Sequence, residues 1–218
     1  MKLSPATIAV LKNFAAINQN LQFKAGNVIK TKSRASEIFA TATIEEEFPQ
    51  DFAIYEMGRF ISVLSLFAEP ELEFTKSAVV IKDQRNSVTY MYADSSLIAG
   101  ADYEKEIKFP KTLAEFQLKQ EDLAKLQKAA SVLGQQNITI VGANGELSVV
   151  AHDKKNSSSD KFVLVMGTTD VDFEVDLNLK TLTFIPGDYD VIVTEKVVCK
   201  FTNAETDIEY LVAGTVTK

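Results

Sequence analysis

Apolar residues recur along this chain at two different spacings, which predict two kinds of element. Near the N-terminus four of them follow the i, i+3, i+4 spacing of an amphipathic helix: Ile8, Leu11, Phe14 and Ala15. Ser4 and Pro5 are typical of a helix start, because serine caps free N–H groups and proline has none to satisfy. The opposite face carries Lys12 among small side chains.

A second helix is predicted over 120–133, with Gly134 as its C-terminal stop. Its buried stripe comprises Leu123, Leu126, Ala130 and Leu133. Glu121, Lys125 and Lys128 share the opposite face. From the residues alone, these lysines could simply be surface charges, one of them paired with Glu121 across one turn.

The remaining apolar segments are short and β-branched, which favours strands. We predict strands at 28–30, 38–44, 78–81, 87–92, 137–141, 147–151, 162–166, 189–193, 197–201 and 208–213. Asn144-Gly145 is typical of a tight hairpin turn, since both residues tolerate positive φ. The polar segment at 153–160 is short enough to be an exposed hairpin tip, which would place Lys154 on an outer loop. Strands so closely spaced predict antiparallel sheets and an α+β fold.

The order of these elements indicates an internal repeat. The segment from Asp51 to Leu66 resembles the segment from Asp172 to Ile185, and each half opens with a helix. A shorter helix is predicted later in each half, with Arg59 in the first and Lys180 in the second. Each copy has about 110 residues, a common domain size. We therefore predict two similar domains, at 1–110 and 111–218, with a polar connector at 93–110. Duplicated domains favour a symmetric assembly.

Composition and charge narrow the possible functions. No apolar run approaches the roughly 20 residues of a membrane span, no signal peptide is predicted, and Cys199 is the only cysteine. These features predict a cytoplasmic protein without disulfides or membrane contact. The net charge of −7 alone argues against nucleic acid. However, the acidic clusters at 45–47, 69–73, 102–106 and 205–209 are outside the helices, where they are most simply solvated faces.

Catalytic and metal-binding patterns are missing from the sequence. His152 is the only histidine, so one chain cannot build a multi-histidine metal site, and no phosphate-binding glycine motif occurs. We interpret His152 as a strand-end residue and Cys199 as a small core residue. The sequence thus predicts no catalytic residue, metal or cofactor, and no enzyme activity.

At several places in register, the chain resembles the DNA polymerase sliding clamps of T-even-type bacteriophages, which are related in fold to the eukaryotic proliferating-cell clamp. The matching residues include Met1 to Ser4, Leu11 to Ala15, Ala53 to Tyr55 with Phe60, Leu64 to Leu66, Phe109-Pro110, Glu121 to Leu123, and Pro186-Gly187 with Tyr189. They span nearly the whole chain.

The resemblance implies a ring-shaped homotrimer with two similar clamp domains per chain, sheets outside and helices lining a central hole. Double-stranded DNA would be encircled without base readout, because lysines contact only phosphates. The residues expected to face DNA are Lys2, Lys12, Arg59, Lys119, Lys125, Lys128 and Lys180. Arg59 has no basic counterpart in the family. The subunit interface would join strand 87–92 to strand 161–166 through Val88, Tyr90, Tyr92, Phe162 and Leu164.

The implied function is to tether the replicative DNA polymerase and raise its processivity in the cytoplasm of an infected bacterial host. A clamp loader ATPase and late-transcription factors are the further implied partners. Peptides of these partners are expected in a pocket formed by Ile107, Phe109, Pro110, Pro186 and Tyr189, although Phe109 and Tyr189 could equally be core residues. Two alternatives remain from the residues: a tail or baseplate protein with a duplicated β-rich domain, and an enzyme with carboxylate chemistry.

Overall fold

The computed structural model describes residues 1–98, 111–154, 156 and 158–216. The chain divides into two compact units, one comprising Met1–Lys105 and Thr206–Ile208, the other Glu106–Glu205 and Glu209–Lys218. Most of the predicted connector at 93–110 lies outside the described residues. Its position, and the domain boundary at 110, therefore stay predictions.

Among its described residues, the first unit contains two α-helices and seven strands. The helices are α1 (Pro5–Ile17) and α2 (Met57–Leu64). The strands are β1 (Leu21–Phe23), β2 (Gly26–Lys32), β3 (Ile38–Phe48), β4 (Phe52–Ile54), β5 (Glu71–Phe74), β6 (Ala78–Lys82) and β7 (Ser87–Met91). A 3-10 turn follows at Ser95–Leu97.

Antiparallel pairing organises the strands of this unit. β1 pairs with β4, β2 pairs with β3, and β5, β6 and β7 form a sheet in that order. α1 packs against α2 and β3. Four phenylalanine rings form a connected cluster in which neighbouring ring centroids lie 4.4 to 5.9 Å apart: Phe23, Phe48, Phe52 and Phe74. They form the aromatic part of the core.

The second unit contains one α-helix among its described residues, α3 (Gln120–Val132). Its strands are β8 (Thr112–Leu118), β9 (Asn137–Ala143), β10 (Glu146–His152), β11 (Lys161–Thr168), β12 (Phe173–Asn178), β13 (Tyr189–Thr194), β14 (Val198–Asn203) and β15 (Ile208–Ala213). A 3-10 turn occupies Leu179–Thr181.

Two antiparallel sheets make up this unit, in the orders β11-β10-β9-β12 and β15-β14-β13-β8. Asn144 and Gly145 join β9 to β10 with φ values of 54° and 84°, which confirms the predicted hairpin turn. α3 packs on β9, β10 and β11. The unit has its own aromatic cluster, formed by Phe184, Tyr189, Phe201 and Tyr210.

The order of elements repeats, as predicted, but one predicted element is wrong. In each unit a long helix precedes four strands, a short helical segment and three more strands. The segment after β12 is a 3-10 turn of three residues, whereas its counterpart α2 has eight. Thr181 and Thr183 are weak helix formers, and Pro186 disfavours helical geometry at the residue before it. Lys180 therefore lies on a turn and not on a helix.

The buried faces of the two long helices differ slightly from the predicted stripes. In α1 the side chains of Thr7 and Val10 are buried with Leu11, Phe14 and Ala15, while Ile8 is only half-buried. In α3 Leu126 and Ala130 are buried, and Leu123 and Leu133 lie half-buried at the margins. Sequence spacing thus predicted both long helices. On α1 it assigned Ile8 to the buried face, whereas Thr7 and Val10 are the buried residues there.

Candidate nucleic-acid interface

The start of α1 is held by groups from two elements. The Ser4 hydroxyl accepts a hydrogen bond from the Thr7 backbone N–H, as expected of a cap residue, and Pro5 is the first helical residue. Glu46 on β3 also accepts hydrogen bonds from the Ser4 N–H and the Thr7 hydroxyl. Partial burial opposes ionisation of Glu46, but these hydrogen bonds outweigh it and lower its pKa. A fixed carboxylate therefore anchors the helix.

The start of α3 is held by a different carboxylate. Lys119 is the cap residue, and its own side chain does not cap the helix. Instead, the Asp188 carboxylate accepts hydrogen bonds from the Gln120 backbone N–H and the Lys119 ammonium, both at 2.8 Å. At the other end, Gly134 has a φ of +70°, and Gln135 N–H donates to the Ala130 carbonyl, so the predicted stop at Gly134 is confirmed.

The two long helices each present an exposed lysine. Lys12 is exposed on α1 between the exposed side chains of Ala9 and Ala16, and Lys128 is exposed on α3. Within the described part of the chain, neither lysine has an ion-pair partner. Both are therefore available to an external anion.

The other cations predicted to face DNA differ in their surroundings. Lys125 lies 3.2 Å from Asp122 and 3.7 Å from Glu121, and Arg59 lies 3.7 Å from Glu56. Lys2 pairs with Glu69 at 2.7 Å, and Lys119 pairs with Asp188. Lys180 is exposed on the 3-10 turn. Ion pairs this exposed contribute little to stability, yet each places an acidic group beside the cation.

The strands predicted to join subunits are both edge strands. β7 lies at one end of its three-stranded sheet, and β11 lies at one end of its four-stranded sheet. Along β7, Val88, Tyr90 and the following Tyr92 are half-buried, and the Tyr90 ring contacts Phe60 of α2. Along β11, Phe162 and Leu164 are half-buried, whereas Val163 and Val165 are 43% and 57% exposed.

The predicted peptide pocket is only partly supported by the described residues. Ile107, Phe109 and Pro110 lie outside them. Pro186 lines a surface cavity of about 370 Å³ together with Leu123, Leu182 and Ile185. Tyr189 is 1% exposed, and its hydroxyl donates to the Ile185 carbonyl. Of the two roles predicted for Tyr189, the structure supports the core residue and excludes the exposed anchor, because the side chain fills the aromatic core.

Comparison with known proteins identifies the family. Residues 2–100 match the family described as DNA polymerase processivity factor, and residues 115–216 match the family described as gp45 sliding clamp, C terminal. The sliding clamp of Vibrio phage KVP40 is 35% identical, with 98% of each chain covered. That of Enterobacteria phage T4 is 30% identical, covering 90% of this chain and 88% of its own. This chain belongs to the sliding clamp family.

Solved structures of sliding clamps share its fold. Archaeal PCNA from A. fulgidus, solved with the C-terminal region of FEN-1, superposes with a TM-score of 0.74 over 100% of this chain and 98% of that chain, at 12% identity. A Helicobacter pylori beta clamp bound to a DNA ligase peptide gives a TM-score of 0.73 at 15% identity, covering 100% of this chain and 65% of that chain. The predicted α+β clamp fold is confirmed.

Membership of the sliding clamp family establishes the function: the chain is a DNA polymerase processivity factor. This finding decides against the tail or baseplate alternative. In the described residues, no helix is long and apolar enough to cross a membrane, and no group of three potential metal-ligating side chains occurs. His152 ends β10, and burial raises the pKa of the Cys199 thiol to about 12, so both residues are placed as predicted.

Two functional features of this sliding clamp were not found from sequence. Glu46 and Asp188 anchor the starts of α1 and α3 from positions 42 and 68 residues away from their backbone partners. Local spacing contains no signal for such contacts. Asp188 does follow Pro186-Gly187 in a turn, and a carboxylate after a Pro-Gly pair is the one local hint that a polar side chain is held there.

Proposed function

We propose that three copies of this chain close head to tail into a ring around double-stranded DNA. The observation that supports it best is that β7 in the first unit and β11 in the second each lie at the edge of a sheet. Two different surfaces that bind each other form a heterologous contact, and such contacts close into rings when the rotation allows. Two domains in each of three chains would give six similar units around the ring.

The proposed subunit contact joins β7 of one chain to β11 of the next. Among the described strands, each has a hydrogen-bonded neighbour on one side only, and unprotected edges invite pairing. A surface groove of about 460 Å³ runs along β7 beside α2, and its lining includes Tyr55, Val63, Val88 and Tyr90. The exposed side chains of Val163 and Val165 on β11 are apolar groups that such a groove would bury. Phe162, Leu164 and Tyr92 flank the same contact.

The proposed DNA contact is electrostatic. Lys12 on α1 and Lys128 on α3 are its main contributors, because both are exposed and unpaired within the described residues. Lys2, Arg59, Lys119 and Lys125 are proposed as secondary positions, since each has an acidic neighbour in the structure. Lys180 is also proposed as secondary, because it lies on a 3-10 turn and not on a long helix. Such contacts bind phosphates without reading bases, so the ring would slide while enclosure keeps it on the DNA.

Partner proteins are proposed to bind through short apolar peptides. The H. pylori beta clamp bound to a DNA ligase peptide supports this mode for a clamp of the same fold. DNA polymerase, a clamp loader ATPase and late-transcription factors are the proposed partners. The proposed pocket residues are Ile107, Phe109, Pro110 and Pro186. Tyr189 is not among them, because it is buried. We further propose that the clamp carries out no covalent chemistry and acts in the cytoplasm of an infected bacterial host.

Native mass spectrometry tests the proposed ring. The expected species at micromolar concentration has three times the 24.1 kDa chain mass. Negative-stain images of the same sample should show a ring with a hole wide enough for a duplex. Only monomers or dimers across the concentration range, with the protein folded, would overturn the trimer.

A further inference from the structure

Lys119 and Asp188 form a fixed ion pair at the start of α3. One carboxylate oxygen of Asp188 accepts from the Gln120 backbone N–H at 2.8 Å, and the other accepts from the Lys119 ammonium at 2.8 Å. The carboxylate is therefore attached to the helix backbone and to the lysine at the same time. Such a bridge restricts both side chains more than a simple surface pair would.

The turn that carries Asp188 is itself anchored. The next residue, Tyr189, is buried in the aromatic core, and its hydroxyl donates to the Ile185 carbonyl at 2.5 Å. Because Asp188 is next to this anchor and also bonds Gln120, these hydrogen bonds hold it at the start of α3 when Lys119 reaches outward. Any movement of Lys119 toward an external anion must therefore break the ion pair.

Electrostatics at this position also favour the internal partner. The hydrogen bond from Lys119 and that from the Gln120 N–H lower the pKa of Asp188, so it is charged at neutral pH. Asp188 in turn raises the pKa of Lys119, and the charges of Asp190 and Glu205 act in the same direction. One carboxylate thus contacts the ammonium, and the charges of two others make the electrostatic surroundings of Lys119 more acidic.

We infer that Asp188 is a positioning residue that withdraws Lys119 from DNA and thereby limits how strongly the clamp holds the duplex. The inference rests on the proposed placement of α3 beside DNA. Each lysine that neutralises a phosphate releases counterions and adds to binding. A ring retained by enclosure does not need that addition, and stronger contacts would slow its sliding. The Asp188 carboxylate takes the place that a phosphate oxygen would otherwise occupy beside Lys119.

The decisive variant is Asp188→Asn, which removes the charge but keeps an oxygen to accept from the Gln120 N–H. The salt slope is here the steepness with which log K for binding duplex DNA falls as log salt concentration rises. We expect it to increase by about one per subunit, since each freed lysine can neutralise one phosphate. Single-molecule tracking should show slower diffusion along DNA at low salt, with the difference vanishing at high salt. The double variant Lys119→Gln/Asp188→Asn should return the slope to that of the wild type.

Two comparisons separate the effect of Lys119 from the general effect of removing a carboxylate at a helix start. Glu46→Gln removes the corresponding carboxylate at the start of α1, which has no lysine partner in the described residues, and it should leave the slope unchanged. In the wild-type background, Lys119→Gln should lower the slope less than Lys128→Gln does. The second comparison needs no change at Asp188, so it holds even if Asp188→Asn does not fold.

An unchanged or lower slope in folded Asp188→Asn would overturn the inference, as would a Lys119→Gln effect equal to that of Lys128→Gln. The wild-type clamp loaded on circular DNA is assayed in parallel. If it is retained there, either result refutes only the role of Asp188. If the wild type itself is not retained, the proposed ring function fails instead.

Discussion

The Lys154 ammonium lies 2.7 Å from the Asp176 carboxylate, and the two side chains are only 19% and 8% exposed. Glu174 accepts a second hydrogen bond from the ammonium at 2.8 Å, and the Thr139 hydroxyl donates to Asp176 at 2.6 Å. From sequence, the polar segment at 153–160 reads as a solvent-exposed hairpin tip. Lys154 is instead part of the packed structure of the second unit.

Replacing this lysine should therefore destabilise the fold. Lys154→Ala leaves a buried carboxylate without its main partner, and we expect a loss on the order of 3 kcal/mol in the free energy of unfolding. Chemical denaturation followed by circular dichroism measures it. Lys196→Ala, in the exposed turn between β13 and β14, is the matched control and should change stability by less than about 0.5 kcal/mol. Equal effects of the two variants would show that the buried ion pair is energetically irrelevant.

Glu46 makes the stability of the first unit sensitive to acid. Its pKa is lower in the folded state than the usual 4.5, so its contribution is present above that value and is lost as the pH falls through the folded pKa. Glu46→Gln should reduce the free energy of unfolding by about 1 kcal/mol at neutral pH, because a charge-assisted hydrogen bond becomes a neutral one.

A pH series of denaturation curves checks this expectation. The difference between wild type and Glu46→Gln should shrink below pH 4.5 and disappear once Glu46 is protonated in both states. A difference that stays constant down to pH 2 would mean that the carboxylate charge does not stabilise α1.

The exposed lysines of the long helices should affect DNA association without affecting folding. In Lys12→Ala and Lys128→Ala, each lost phosphate contact should lower the salt slope by roughly one per subunit, independent of base sequence. Melting temperature and native mass should be unchanged, since exposed charges have small effects on stability. Lys196→Ala is again the control, because this lysine is exposed in a turn away from the helices. A control effect as large as that of the helix variants would contradict the assignment.

The proposed subunit contact can be broken by a single charge. Val165→Glu puts a carboxylate on the exposed face of β11, and burying it between chains would cost several kcal/mol, so the trimer should dissociate. Sedimentation velocity measures the change in mass. Val171→Glu, at an exposed valine between β11 and β12, should leave the trimer intact. Trimers of equal stability in both variants would exclude β11 from the interface.

The sequence predicted the elements well where a local pattern determines them. Ser4-Pro5, Asn144-Gly145 and Gly134 each require a particular backbone geometry, and the structure has it at all three places. It predicted poorly where contacts between distant segments decide. The sequence left Tyr189 open between an exposed anchor and a core residue, because spacing cannot show the aromatic cluster that buries it. Lys154 was predicted to be a loop lysine because Asp176, its partner, lies on a distant strand.

In the candidate site, too, local features were predicted from sequence and contacts between distant segments were not. Helical spacing placed Lys12 and Lys128 on the exposed faces of α1 and α3. The partners that distinguish one lysine from another, above all Asp188 beside Lys119, come from a different element and leave no periodic signal. Family resemblance supplied the function, and only the structure separated the unpaired lysines from the paired ones.

Retention on DNA of different topology tests the central claim most directly. The clamp is loaded onto a nicked circular duplex with a clamp loader of a related phage, freed of unbound protein, and the circle is then cut once with a restriction enzyme. If three chains enclose DNA and slide, the clamp stays on the intact circle at high salt and is lost within minutes of linearisation. Blocking both ends of the linear DNA with bulky protein adducts should restore retention. Equal retention before and after cutting, or loss from the intact circle by the folded trimer, would contradict enclosure.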